Sequence, residues 1–362
     1  LQKNIVMKNP FKFGTIVEDD FFTDRINELK YIKQKLDSEN HLIMISPRRF
    51  GKSSLVLKAV KSVNRPYIML NLQKVISVNH LASNLLKELF KLYKWEKVKH
   101  IASHMRIVPT ISINPMTDGV DVSFQPTANS VVALEDAMSL IDKVSTPENR
   151  MIVILDEFQE IMSLGKGLDK QMRAIMQVQQ NVNYILLGSQ ESMMTEIFER
   201  KKSPFYHFGT LMHLKKIPYN DFEEYISLRL APVMGAKCHD VAKDILLITD
   251  CHPYYTQQLA SQVWELAHFE QVEEGVVAKA VERLTNIHDL DFERLWIALT
   301  KTDRHLLQVL CSEDKNLASM QSPTSTIYSA LNRLMKKGYV IKSEGYEIED
   351  PFFRCWISEN RV

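Results

Sequence analysis

Five short apolar runs, separated by longer amphipathic stretches, constrain this chain more than any other feature of its sequence. They are His41–Ser46, Tyr67–Leu72, Met151–Leu155, Tyr184–Gly188 and Met212–Ile217. Short unbroken apolar runs suit strands buried on both faces, which is how parallel sheets read. Between them, Leu55–Val63 and Leu81–Tyr93 place apolar residues three and four apart, the helical spacing. Strands alternating with helices predict an α/β domain over about residues 1–217, a parallel sheet with helices on both faces. Residues 107–126 interrupt the rhythm. Ile107–Asn114 and Val120–Phe124 alternate apolar and polar around Met116-Thr117-Asp118-Gly119, which predicts an inserted hairpin. Residues 218–285 read as wholly helical.

The last stretch, 286–362, changes character again. Asp303–Leu310 is a short amphipathic helix, and Pro323 opens a second over Ser325–Met335 that Gly338 ends. Tyr339–Lys342 and Tyr346–Ile348 then flank the turn Ser343-Glu344-Gly345. Two helices and a hairpin in that order predict a winged helix.

The first apolar run leads into Ser46-Pro47-Arg48-Arg49-Phe50-Gly51-Lys52-Ser53-Ser54, which matches GxxxxGK[ST] except that Ser46 replaces the first Gly. A loop of this kind turns successive backbone N–H groups inward, and the following helix N-terminus adds partial positive charge, so phosphates bind there. Lys52 is expected to reach the β and γ phosphates, and the Ser53 hydroxyl to ligate Mg²⁺. If position 46 needs φ > 0, the serine costs on the order of 1–2 kcal/mol. A surface turn that happens to carry Gly-Lys-Ser is the bland alternative.

The third run ends in Asp156-Glu157, two carboxylates delivered to the C-terminal edge of a buried strand, where open α/β sheets bind ligands. Asp156 is expected to hold Mg²⁺ through water and Glu157 to polarise the attacking water. The next run ends in Ser189-Gln190, and if the acid strand is central the two strands are neighbours. Ser189 or Gln190 then senses the γ-phosphate or positions water, or Ser189 simply caps a helix. Both readings stay open from the sequence.

Composition narrows the class. The 362 residues carry 45 Lys/Arg against 44 Asp/Glu and are 45% hydrophobic, a globular balance that leaves no whole-surface polyanion binder. Four widely spaced cysteines without CxxC pairs, and eleven histidines without HExxH, offer neither a zinc site nor a disulfide framework, which fits a reducing cytoplasm. No apolar run reaches membrane-spanning length, and no signal peptide is legible. The chain starts Leu1-Gln2-Lys3-Asn4 without Met, so the natural N-terminus is expected to be trimmed.

Taken in order, these motifs resemble the archaeal-type P-loop ATPases of the AAA+/STAND group, relatives of origin-recognition ATPases. The resemblance rests on Phe22-Thr-Asp-Arg25 with Glu28-Leu29, the phosphate loop, Asp156-Glu157, Gly188-Ser189, Ser203-Pro204-Phe205-Tyr206 and His252-Pro253. It implies a five-stranded P-loop core, a helical lid and a C-terminal winged helix. It also implies that the segment before Arg25 borders the adenine, that Pro47 to Ser54 hold the phosphates, and that Pro253 closes over the nucleotide. Three departures stand out. Ser46 replaces a Gly, Cys251 stands where the lid motif has Gly, and His207 and Phe208 occupy the place of an arginine that serves a neighbouring subunit. Arg200, Lys201 and Lys202 lie nearby, but none is assignable as that arginine. Such a finger is worth roughly 10³–10⁵ in rate, so slow basal turnover is expected.

Residues 286–362 hold ten Lys/Arg and eleven Asp/Glu, with Arg333, Lys336 and Lys337 as a small basic end. Three cations contribute little against a polyanion, so DNA is weakly supported and a protein partner is at least as well favoured. The basic stretch Lys87, Lys91, Lys94, Lys97 and Lys99 reads as a solvated helix face. The sequence therefore predicts an ATP- and Mg²⁺-dependent molecular switch that binds ATP/ADP, with nucleotide-dependent self-association left open. The competing reading is a nucleotide-stabilised scaffold with negligible turnover, and a small-acceptor kinase ranks last because no acceptor pocket is legible.

Overall fold

The computed structural model describes residues 7–93, 95–114, 119–125, 128–312, 317, 320, 322–342 and 345–361. The turn residues Met116–Asp118 and Ser343-Glu344, the side chains of Lys97 and Lys99, and Lys94 altogether lie outside the described set. The chain divides into two compact units. One comprises Arg25–Ser46 and Lys52–Leu214; the other comprises the residues up to Asp24, Pro47–Gly51 and Lys215–Val362.

The first unit is built on a parallel sheet. Its strands are β1 (Leu42–Ile45), β2 (Tyr67–Asn71), β5 (Met151–Asp156), β6 (Val182–Gly188) and β7 (Thr210–His213), in the spatial order β2-β5-β6-β1-β7. All four pairings are parallel. Every residue of β1, β5 and β6 is buried, as unbroken apolar runs require of interior strands. Successive side chains alternate between faces. Ile43, Ile45, Val153, Leu155, Tyr184 and Leu186 join one core with Leu81, Leu85 and Leu89 of α3 (Val78–Leu92), Leu134 and Ile141 of α5 (Ser130–Val144), and Met172 and Met176 of α7 (Leu168–Val178). The alternate residues Leu42, Met44, Ile152, Ile154, Ile185 and Leu187 are equally buried. Helices α1 (Ile26–Leu36) and α2 (Lys52–Ser62) pack on each other and bury Ile32, Leu36, Leu55, Val56 and Val60. Short helices α4 (Trp95–Ala102), α6 (Ile161–Leu164) and α8 (Glu191–Phe198) complete the layers.

The inserted segment is an antiparallel hairpin of β3 (Thr110–Asn114) and β4 (Gly119–Ser123), with β4 against α3. The last strand sits earlier than the apolar pattern Met212–Ile217 indicates. The Thr210 N–H bonds the His41 carbonyl at 2.8 Å, so pairing with β1 starts β7 at Thr210 and it ends at His213.

The second unit is helical: α9 (Tyr219–Met234), α10 (Cys238–Thr249), α11 (Pro253–Phe269) and α12 (Val276–Ile297). It continues with α13 (Lys301–Cys311), α14 (Thr324–Lys337), the antiparallel pair β8 (Val340–Lys342) and β9 (Tyr346–Ile348), and α15 (Pro351–Asn360). The break expected near residue 285 falls inside α12. Residues on either side of it, Val281 and Leu284 then Phe292 and Trp296, share one core with Trp264, Leu307, Leu331 and Trp356. The N-terminal segment belongs here too. Phe11 joins that core, Asn9 Nδ2 donates to Ser261 Oγ at 2.8 Å, and Tyr225 Oη donates to the Phe21 carbonyl at 3.0 Å. Among the described residues no helix is long and apolar enough to cross a membrane.

Candidate functional site

The phosphate-loop sequence occupies the connection from β1 to α2. Ile45, the last residue of β1, lies beside Gly188 at the end of β6, and the Ser46 N–H bonds the Gly188 carbonyl at 3.3 Å. Gly188 allows this approach with α8 close by: a Cβ there would lie 2.2 Å from Met194 Sδ. Left-handed backbone falls at Arg49 (φ +63°) and Gly51 (φ +85°), not at Ser46. The serine therefore carries none of the strain its place in the motif suggested. Ser46 is 1% exposed, and Lys52 Nζ donates to its carbonyl at 3.1 Å and to its Oγ at 3.3 Å.

Within the sheet unit the predicted residues converge at the C-terminal edge. Leu155 pairs with Leu186, so Asp156 and Glu157 leave β5 level with the end of β6. Ser53 Oγ, at the start of α2, donates to Asp156 Oδ2 at 2.8 Å, and the Glu157 N–H donates to Oδ1 at 2.9 Å. Burial raises the Asp156 pKa, and the charge of Glu157 adds to this, while the bonds from Ser53 and Glu157 N–H and the charge of Lys52 pull the other way. A buried carboxylate and a hydroxyl within one hydrogen bond form the hard-oxygen donor pair that Mg²⁺ takes, so these residues fit the ion. Among the described residues no group of three or more His, Cys, Asp or Glu side chains forms a competing metal cluster.

Glu157 adopts a left-handed conformation (φ +55°, ψ +48°), which turns the chain out of the strand. Its Oε2 accepts from Ser189 Oγ at 2.6 Å and from Gln159 Nε2 at 2.5 Å. Ser189 thus faces the acid; Gln190 holds the N-cap position of α8, without a side-chain capping bond. One acid was missed from sequence. Glu191 has its pKa raised by burial, against the charges of His213 and Lys52. Arg25 is buried, left-handed (φ +65°) and paired with Glu28 at 2.8 Å, and Ser54 is buried in the first turn of α2. Arg200 is exposed and bonded to Glu196 at 2.6 Å.

The helical unit holds a second cluster. Pro253 is the first residue of α11, and His252 caps it by accepting the Tyr254 N–H at Nδ1, 3.2 Å. Cys251, where the lid motif has Gly, keeps the left-handed backbone with φ +54°. From the loop, Pro47 is half-buried and Arg48 exposed, while Phe50 is buried and meets the His252 ring edge-on at 4.8 Å. Arg49 Nη1 donates to Tyr255 Oη at 2.8 Å. Tyr254 and Tyr255 of α11, which it meets, and Glu349 after β9, which accepts from Tyr255, were not legible as site residues. They lie far away in the sequence and carry no local motif.

The ATPase domain family described as predominantly from Archaea matches residues 22–258. The chain belongs to this family. The archaeal ATPase assignment is consistent with the parallel sheet and with phosphate-loop and acid-strand motifs inside the matched range. A curated relative, the uncharacterized protein MJECL04 of Methanocaldococcus jannaschii, is 24% identical over 248 residues, which are 67% of this chain and 45% of that protein. The chain therefore spans less than half the length of that relative. The Walker-type ATPase PABY2304 of Pyrococcus abyssi shares the fold with a TM-score of 0.66 at 16% identity, over 94% of this chain and 97% of that one. The Aeropyrum pernix ORC2 protein, solved as ADPNP–ADP complexes, has a TM-score of 0.55 at 15% identity over 94% of each chain. Its ORC1 counterpart, solved in complex with DNA, has a TM-score of 0.50 at 12% identity over 94% and 93%.

Proposed function

We propose that this archaeal-family ATPase domain binds ATP with Mg²⁺, hydrolyses it slowly and acts as a nucleotide-controlled switch in the cytoplasm. The observation that carries the reading is the 2.8 Å bond from Ser53 Oγ to Asp156 Oδ2, which joins the end of the loop to the acid strand 103 residues later. When bound, Mg²⁺ would be held by Ser53 and Asp156 and would neutralise charge on the β and γ phosphates. The backbone of Ser46–Gly51 and the N-terminus of α2 would receive the phosphates. Lys52 would exchange its bonds to Ser46 for phosphate oxygens. Glu157 would accept a proton from the attacking water, and Ser189, bonded to it, would hold its orientation. Arg25 would border the base. Helices α13 and α14 followed by β8–β9 support reading the C-terminal stretch as a winged helix, which we assign to a protein partner.

The second reading, a nucleotide-stabilised scaffold, is favoured by one observation. Glu157 Oε2 is already engaged by both Ser189 and Gln159. Two variants separate the readings. Lys52→Ala should abolish binding of a fluorescent ATP analogue, and Glu157→Gln should bind it while releasing no phosphate. Hydrolysis unchanged in both variants would sink the site assignment. Wild-type protein that gains melting temperature with ATP yet releases phosphate only at background would establish the scaffold instead.

A further inference from the structure

Arg49 stands on the rim of the phosphate loop, exposed to solvent and held left-handed at φ +63°. Its guanidinium is engaged from two sides. Nη1 donates to Tyr255 Oη at 2.8 Å, and the guanidinium carbon lies 4.6 Å from the ring centroid of Tyr254 and 5.7 Å from that of Tyr255. Tyr255 Oη donates onward to Glu349 Oε2 at 2.7 Å. The phenol is 1% exposed, so its single O–H has one partner and its oxygen another. Cation, phenol and carboxylate form one polarised chain, in which each bond strengthens the next.

Glu349 is itself fixed. Its N–H bonds the Tyr339 carbonyl at 3.0 Å, and Asp350 beside it caps α15. The other carboxylate oxygen, Oε1, lies 3.5 Å from His252 Nε2. His252 Nδ1 accepts the Tyr254 N–H, which leaves Nε2 as the ring nitrogen on the side of that oxygen. Glu349, Tyr255 and Tyr254 take part in no motif, and Phe50 of the loop packs on the same His252. Burial works against the charged guanidinium, but Tyr255 and Glu349 outweigh it and leave the Arg49 pKa raised. The cation is kept, and it remains within reach of solvent.

An arginine on a phosphate loop has an obvious competing partner. Phosphate oxygens bind guanidinium more directly than a carboxylate does through an intervening phenol. We propose that Glu349, acting through Tyr255, is a positioning residue for Arg49, so that the terminal phosphate of a nucleoside triphosphate and Glu349 compete for one guanidinium. The inference rests on the nucleotide reading of the loop given above. It makes the hairpin residue Glu349 a determinant of how well the protein tells triphosphate from diphosphate, since only the former presents the extra anion.

The test compares dissociation constants of fluorescent ATP and ADP analogues for wild type, Glu349→Gln, Glu349→Asp, Arg49→Ala and the double variant. Glu349→Gln should bind the ATP analogue about three- to ten-fold tighter, with the ADP analogue changed less than about two-fold. Glu349→Asp should return the ratio toward wild type, and Arg49→Ala should erase the effect of Glu349→Gln. Tyr255→Phe interrupts the same chain and should reproduce the tightening, which keeps the test open if Glu349→Gln folds poorly. An ATP/ADP ratio unaltered in Glu349→Gln and Tyr255→Phe overturns the inference. So does a tightening that persists without Arg49, since that reports only a general field. If wild type and Lys52→Ala alike bind neither nucleotide, the nucleotide reading itself fails and takes the inference with it.

Discussion

Ser46 shows how a motif departure is absorbed by a single residue. The sequence suggested a penalty if that position needed a left-handed backbone, but the left-handed residues are Arg49 and Gly51. A non-glycine in that backbone region costs roughly 1–2 kcal/mol, and in this loop that cost falls on Arg49. Ser46 instead lends a hydroxyl to Lys52. Replacing Ser46 with Gly should therefore lower stability in a urea melt by about 0.5–1 kcal/mol, from the lost bond and the added backbone freedom. A stabilised variant would contradict this account. The lid motif behaves differently. Cys251 retains the left-handed turn that a glycine would adopt freely, so there the departure leaves its cost in place.

Among the elements, α13 and α14 are tied by one buried acid. Thr300 caps α13 in a reciprocal capping box with Asp303, and Arg333 of α14 donates to both carboxylate oxygens of Asp303, at 2.5 and 3.1 Å. Asp303 is 1% exposed; burial pushes its pKa up, but the bonds from Arg333 and Thr300 win and leave it lowered. A lowered carboxylate stabilises the fold fully above its unfolded pKa of about 4, and that contribution is lost as pH falls through the folded value. Asp303→Asn should lose about 1–3 kcal/mol at neutral pH and flatten the acid limb of the stability curve. An unchanged limb would remove Asp303 from the explanation. Where apolar side chains alone define an element, the sequence was readable: the interior strands and the order of helices follow from burial periodicity. It failed where pairing or continuity decides. β7 is placed by the His41 carbonyl, and α12 runs through residue 285 because Leu284, Phe292 and Trp296 keep one buried face. The loop, the two acids and Ser53 were legible because they are local words. Tyr255 and Glu349 were not, being 206 and 300 residues from Arg49.

For the whole molecule, charge bears on the proposed partner class. The net charge is +1, and Arg333, one of three cations at the end of α14, is already committed to Asp303. With Arg333 committed, Lys336 and Lys337 are what that helix end has left to release counterions, so duplex DNA should show no shift in a binding assay even at low salt. A salt-dependent shift would restore the nucleic-acid reading. One further consequence lies in the order of the chain. Phe11, Asn9 and Phe21 are built into the helical unit, whose other helices begin only after Lys215. The sheet unit is thus inserted, in chain order, between segments that together build the helical unit. During synthesis the segment around Phe11 is made before the helices it packs on, while the sheet emerges and folds as a unit. Closing a loop of that length costs little more entropy than closing one half as long.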